Sequence, residues 1–147
     1  MAARQIIEEG LELSPQFDDK GLIPAIAQDA RTGQVLIVAY MNREALDLTI
    51  KTGYATYFSR SRKKLWKKGE ESGHVQKVEQ ILVDCDQDCL VLKVTVDAGQ
   101  CHTGYHSCFY RALRKNSSRE LEFIAEKVYN PKEIYESKKQ DEHNSAR

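Results

Sequence analysis

The sequence contains no apolar run near the roughly 18 residues that a membrane-spanning helix needs, and its opening, MAARQIIEEG, lacks the hydrophobic stretch of a secretory signal. A cytoplasmic location with no membrane partner is therefore expected. It also lacks net charge: 22 lysines and arginines balance 22 aspartates and glutamates. That removes the general electrostatic ground for nucleic-acid binding, so any basic site must be local. Three prolines and eight glycines are too few for a collagenous or low-complexity chain, and no internal repeat stands out. What remains, 41% hydrophobic and 30% charged over 147 residues, suits one globular domain. A chain of this length buries roughly 70% of its unfolded surface, enough for a core without disulfide staples.

Local patterns predict a β-rich α+β domain with hairpins and one main helix. IIEEGLEL reads as a short amphipathic helix. GLIPAIAQDARTGQVLIVAYM reads as two strands around a polar turn at residues 29–33. Asn42 is a suitable N-cap for REALDLTIK, and Gly53 falls where that helix should end. YATYFS predicts a strand, and RSRKKLWKKGEESG, lacking apolar periodicity, predicts an exposed loop. HVQKVEQILVD and CLVLKVTVD predict two strands whose tip is CDQD. AGQCHTGYHSC predicts a loop leading into a strand at FYRAL, NSSRE a turn, and LEFIAEKVY a last strand; beyond Pro131 the charged text predicts a frayed helix or disordered tail.

Three constellations carry chemistry. In VDCDQDC, Asp84, Asp86 and Asp88 alternate around Cys85. A straight strand would hold Asp84 and Asp88 about 13 Å apart at roughly 3.3 Å per residue, so joint ligation of a hard cation requires the segment to curl. A solvated acidic turn is the plain alternative. In CHTGYHSC, Cys101 and Cys108 share a polar, glycine-containing loop with His102 and His106, which favours metal ligation over two core cysteines. In SRSRKKLWKKGEESGH, six basic residues from Arg60 to Lys68 surround Trp66, with Ser59, Ser61, Ser72, Gly69 and Gly73 nearby. Such a mixture suits the phosphates and base of a small nucleotide; a solvated loop or an RNA-touching patch is the competing reading.

A third thiolate for the metal raises a distance problem. A straight strand over 89–97 carries the chain roughly 26 Å from the hairpin tip at about 3.3 Å per residue, and residues 98–101 return it by at most about 14 Å. Zinc needs sulfurs only about 3.8 Å apart. Cys85 and Cys101 of one chain cannot easily meet, so the expectation is a zinc shared across a two-fold homodimer. Cys85, Cys101 and Cys108 would then leave a fourth position for water, the open geometry of a catalytic site. Cys89, which leads into an apolar strand, is assigned to packing, although a closed four-sulfur structural site remains the alternative. Three thiolates acidify a bound water weakly, so a base is needed, and His102 beside Cys101 is the candidate.

Taken together, GLIPAIAQDA, VLIVAYMNREAL, the SRSR to LWKKGEESGH block, VDCDQD and CHTGYHSCFYR occur in an order that resembles the phosphoribosyl-AMP cyclohydrolases of histidine biosynthesis. The resemblance divides the chain into an N-terminal extension (1–20), a cyclohydrolase domain (21–114) and a charged, partly flexible C-terminal extension (115–147). It implies an intertwined homodimer with one zinc (Zn2+) per subunit on Cys85 of one protomer and Cys101 and Cys108 of the other. It also implies one magnesium (Mg2+) per subunit on Asp84, Asp86 and Asp88; His102 remains the expected catalyst from its place beside Cys101. Arg60, Ser61, Arg62, Trp66, Lys68, Gly69, Ser72 and His74 would bind a phosphorylated nucleotide. The implied reaction is hydrolytic opening of the adenine ring of N1-(5-phosphoribosyl)-AMP at its C6 to N1 bond. Three positions depart from the pattern: Gln87 stands where glycine is usual, Cys89 where a small apolar residue is, and His106 where arginine is. The rival is a structural zinc module that binds RNA or nucleotide through residues 60–68.

Overall fold

The computed structural model describes residues 3–97 and 99–132. A short helix, α1 (Ala3–Glu9), precedes a hairpin of β1 (Ile23–Asp29) and β2 (Val35–Met41). Next come α2 (Arg43–Thr52), β3 (Thr56–Ser59), β4 (Lys64–Lys67), β5 (Lys77–Val83), β6 (Leu90–Thr95), β7 (Arg111–Leu113) and β8 (Leu121–Phe123). No described helix is long and apolar enough to cross a membrane. The content is that of a small β-rich α+β domain, as expected from the patterning.

The main sheet has the order β2-β1-β6-β5, with β1 antiparallel to β2, parallel to β6, and β6 antiparallel to β5. Strict alternation along β1 buries Ile23, Ala25, Ala27 and Asp29, and along β6 it buries Leu90, Leu92 and Val94. These side chains share one core with Leu36, Met41, Ala45, Leu46 and Tyr57. Asn42 caps α2 by accepting from the Ala45 amide at 2.8 Å, and Gly53 ends it at φ 77°, a left-handed turn that glycine adopts without a Cβ clash. Thr49 ties α2 to β3: its Oγ1 donates to the Ala45 carbonyl and accepts from the Thr56 amide at 3.0 Å.

Two expectations need correction. Part of the segment expected to be an exposed loop is strand β4, paired with β3 through Thr56↔Lys67 and Ser59↔Lys64. Its apolar signal is only two residues long, because Leu65 and Trp66 pack partly against the core while lysines flank them; Trp66 lies opposite Tyr57, ring centroids 5.5 Å apart. The last strand is also shorter than LEFIAEKVY: β8 stops at Phe123, and the chain turns back toward the Cys101 loop. The tail expected to be frayed lies mostly at 133–147, outside the described residues.

Candidate active site

β6 runs without a break in register beside β1, from Ala25↔Leu90 to Asp29↔Val94. Its six residues, roughly 20 Å at about 3.3 Å per residue, separate the acidic turn from the thiol loop.

At the far end of β6 the loop folds on itself. The Gln100 amide donates to the His106 carbonyl at 3.1 Å, and the Cys101 amide to that of Tyr105 at 2.9 Å. It is stitched to β2 by Ser107 Oγ on the Val35 carbonyl (2.7 Å) and the Cys108 amide on that of Leu36 (2.8 Å). His106 Nε2 lies 3.1 Å from Asp29 Oδ2, so His106 clips the loop to the end of β1. Desolvation works to raise the Asp29 pKa, but hydrogen bonds from the Arg31 amide and His106 outweigh it and hold it below the usual carboxylate range.

The folding of the loop brings the Cys101 and Cys108 thiols close enough that Cys101 weighs on the ionisation of Cys108. Cys108 keeps an exposed edge on the cleft, yet burial of its thiol, with Cys101 beside it, pushes the pKa up to about 12. Thr103 Oγ1 is 2.8 Å from Cys101 Sγ. Lys68, only 9% exposed, donates from Nζ to the Gln100 carbonyl at 2.6 Å; burial lowers its pKa while Cys108 and Cys101 pull it back up.

These groups open onto a cleft of about 250 Å³. Arg62, Trp66, Lys68, Gly69, Ser72 and His74 line it together with His102 and Cys108. Arg60 and Ser61 lie outside that lining: the Arg60 guanidinium stacks 3.9 Å from the Tyr40 ring centroid, and Ser61 Oγ faces Ser59 Oγ at 3.5 Å. Gly69 (φ +86°) lets the wall turn tightly, since a Cβ there would come within 2.5 Å of the His74 carbonyl carbon.

Behind the cleft runs a buried relay that sequence reasoning missed. Tyr57 donates to Gln76 Oε1 at 2.5 Å, and Gln76 Nε2 to Gln100 Oε1 at 3.0 Å. The signal was present: period-two reading puts Gln76 on the inward side with Val78, and a buried amide demands partners.

At the near end of β6, the acidic turn is curled. Asp84 Oδ1 accepts from the Asp88 amide at 3.0 Å and the Cys89 amide at 3.1 Å. Asp84, Asp86 and Asp88 each offer an oxygen within 4.8 Å of the others, the only such cluster of metal-ligand groups among the described residues. Crowding by Asp86 and Asp84 pushes the exposed Asp88 carboxyl up to about 6. Desolvation also works to raise Asp84, but its hydrogen bonds with Asp88 and the Cys89 amide hold it low.

Gln87 sits in the left-handed region at φ 57° and is almost fully buried. Its Oε1 accepts from the Ser14 amide at 2.7 Å, and its Nε2 donates to the Ile7 and Glu12 carbonyls at 3.0 and 3.3 Å. Those contacts stabilise a conformation otherwise unfavourable by about 1–2 kcal/mol. Cys85 is exposed on this turn, and Cys89 is half-buried beside Asp84. Neither joins Cys101 and Cys108 in a cluster within one chain.

A cleft joining imidazoles, thiols and a partly basic wall is the equipment of an enzyme acting on a small polar molecule. Comparison with known proteins makes the class specific. The family model described as Phosphoribosyl-AMP cyclohydrolase matches residues 37–110. The chain is 58% identical over 120 residues to the "Phosphoribosyl-AMP cyclohydrolase" of Methanococcoides burtonii, covering 82% of this chain and 94% of that protein. It is 55% identical over 133 residues to that of Rhodopseudomonas palustris strain TIE-1 (88% of each). To that of Chlorobium limicola it is 48% identical over 138 residues, 94% of this chain and 99% of the other. The chain belongs to the phosphoribosyl-AMP cyclohydrolase family and is a hydrolase.

Proposed function

We propose that this chain hydrolyses the C6 to N1 bond of N1-(5-phosphoribosyl)-AMP in histidine biosynthesis, as a homodimer with a zinc site completed across the subunit seam. The observation that supports the reading is the separation along β6: two neighbouring thiols at one end, with Cys85 and the curled carboxylates at the other. Two-fold pairing of such a chain can set one protomer's turn against its partner's loop, forming two equivalent sites.

The residues present fit the metals. Cys101 and Cys108 are neighbours in one loop and would take zinc with Cys85 of the partner subunit; Asp84, Asp86 and Asp88 offer hard oxygens for magnesium. Zinc, when bound, supplies a Lewis acid that makes water a better nucleophile. Lys68, buried beside both thiols, offsets the negative charge that three thiolates would gather. Hydrolysis takes a proton from the attacking water and delivers one to the departing N1. His102, exposed on the cleft beside Cys101, is placed to move it through its imidazole. Trp66 offers a face to the base, and Arg62 and Ser72 offer donors to phosphate.

The decisive experiment is an assay of purified protein with phosphoribosyl-AMP, following ring opening by ultraviolet absorbance alongside zinc content. Zinc-dependent turnover is expected. A zinc-loaded but inert protein whose RNA binding weakens steeply with salt would establish the rival binding module instead.

A further inference from the structure

Tyr129 lies beyond the stretch matched by the family model, in a charged and mostly exposed segment, yet it lines the cleft. Its hydroxyl donates to the Cys101 carbonyl. Its ring meets that of His74 edge-on, centroids 4.9 Å apart at 83°. The amides of Val128 and Tyr129 both donate to the Gly104 carbonyl, at 2.8 and 3.3 Å. Two glycines make room for the segment. A Cβ on Gly99 would stand 2.6 Å from Val128 Cγ2 and 2.7 Å from Tyr129 Cε1, and one on Gly104 would stand 2.5 Å from the Tyr129 carbonyl oxygen.

The Cys101 carbonyl also accepts from the Gly104 amide at 3.0 Å, so Tyr129 supplies its second donor. A carbonyl held through two donors cannot turn without breaking one of them. That carbonyl belongs to the peptide linking Cys101 to His102, so fixing its plane restrains ψ of Cys101 and φ of His102, the backbone rotations that aim both side chains. We infer that Tyr129 is a positioning residue of the hydrolytic reaction: it locks the Cys101–His102 peptide through its hydroxyl and holds His74 at the cleft through its ring. This inference rests on the function proposed above.

The test pairs Tyr129→Phe, which keeps the ring, with Tyr129→Leu, which does not. Tyr129→Phe should lower kcat about tenfold, the size of one lost hydrogen bond to a buried acceptor, with KM within about twofold. Tyr129→Leu should raise KM as well, through His74. In cobalt-substituted protein without substrate, the thiolate-to-cobalt charge-transfer band should shift in Tyr129→Phe. In metal-free protein the His102 and Gly104 amides should exchange faster. Wild-type kcat with an unchanged band and unchanged exchange would overturn the inference, even if thermal stability fell. An inert wild type would instead sink the proposed function, and amide exchange would still decide what Tyr129 does to the peptide.

Discussion

The turn at Asp84–Cys89 and the loop at Cys101–Cys108 stand at opposite ends of β6, and they are braced by segments from opposite sides of the chain, the first N-terminal and the second C-terminal. Gln87 binds the turn to residues 7–14, and Tyr129 binds the loop from the C-terminal side. Their electrostatics differ in kind. The exposed Asp88 carboxyl is raised by its crowded acidic neighbours, whereas the Cys108 thiol is raised chiefly by desolvation. A cation relieves the first directly, and thiolate ligation must first overcome the second. Segments that resemblance places outside the domain thus support both ends of the candidate site.

The largest test of this contrast is complementation. Cys85→Ala and Cys101→Ala should each abolish turnover, but refolding an equal mixture should restore about a quarter of wild-type activity. Half the dimers are then mixed, and each mixed dimer has one intact site. A site confined to one chain would show no recovery in the mixture.

Next in size, His102→Ala should lower kcat by about 10² to 10⁴ while zinc content, measured by atomic absorption, stays at the wild-type level. Cys89→Ala should leave zinc content unchanged; loss as complete as with Cys101→Ala would establish a four-sulfur site instead.

The two ends should also answer pH differently. A cation at the acidic turn competes with the proton on Asp88, whose pKa lies near 6, so Mn2+ affinity followed by titration should weaken as pH falls through 6. Zinc binding must expel the Cys108 proton, so its affinity should climb about tenfold per pH unit for that thiol alone across the neutral range. The smallest effect is expected from Gln87→Gly. It loses three hydrogen bonds of about 1 kcal/mol each and regains about 1 kcal/mol of backbone strain, for a net destabilisation of about 1–2 kcal/mol in urea unfolding. Amide exchange over 7–16 should quicken while that over 101–108 stays constant.

Much was readable from local chemistry. The β1–β2 hairpin, the Asn42 and Gly53 caps, and the strands around CDQD each depend on neighbours in sequence. The grouping of Asp84, Asp86 and Asp88 was visible too, because three carboxylates so close in sequence meet as soon as the segment curls. β4 was hidden because KLWK acquires its partly buried side from its partner strand, with no periodicity of its own. Gln76, Gln100 and Tyr129 were hidden because a glutamine or tyrosine becomes a functional support only once something buried is brought within reach.

By itself, then, the sequence determined the four strands of the main sheet, the caps, the family and the inventory of thiols, imidazoles and carboxylates, since these follow from residue type and short spacing. Only the tertiary structure decided that β6 lies parallel to β1 inside the sheet, that Cys101 and Cys108 neighbour a buried lysine, and that residues 7–14 and 128–129 return to brace the two ends. Contacts between residues far apart in the chain are decided by which surfaces can be buried together, and that is a property of the whole fold.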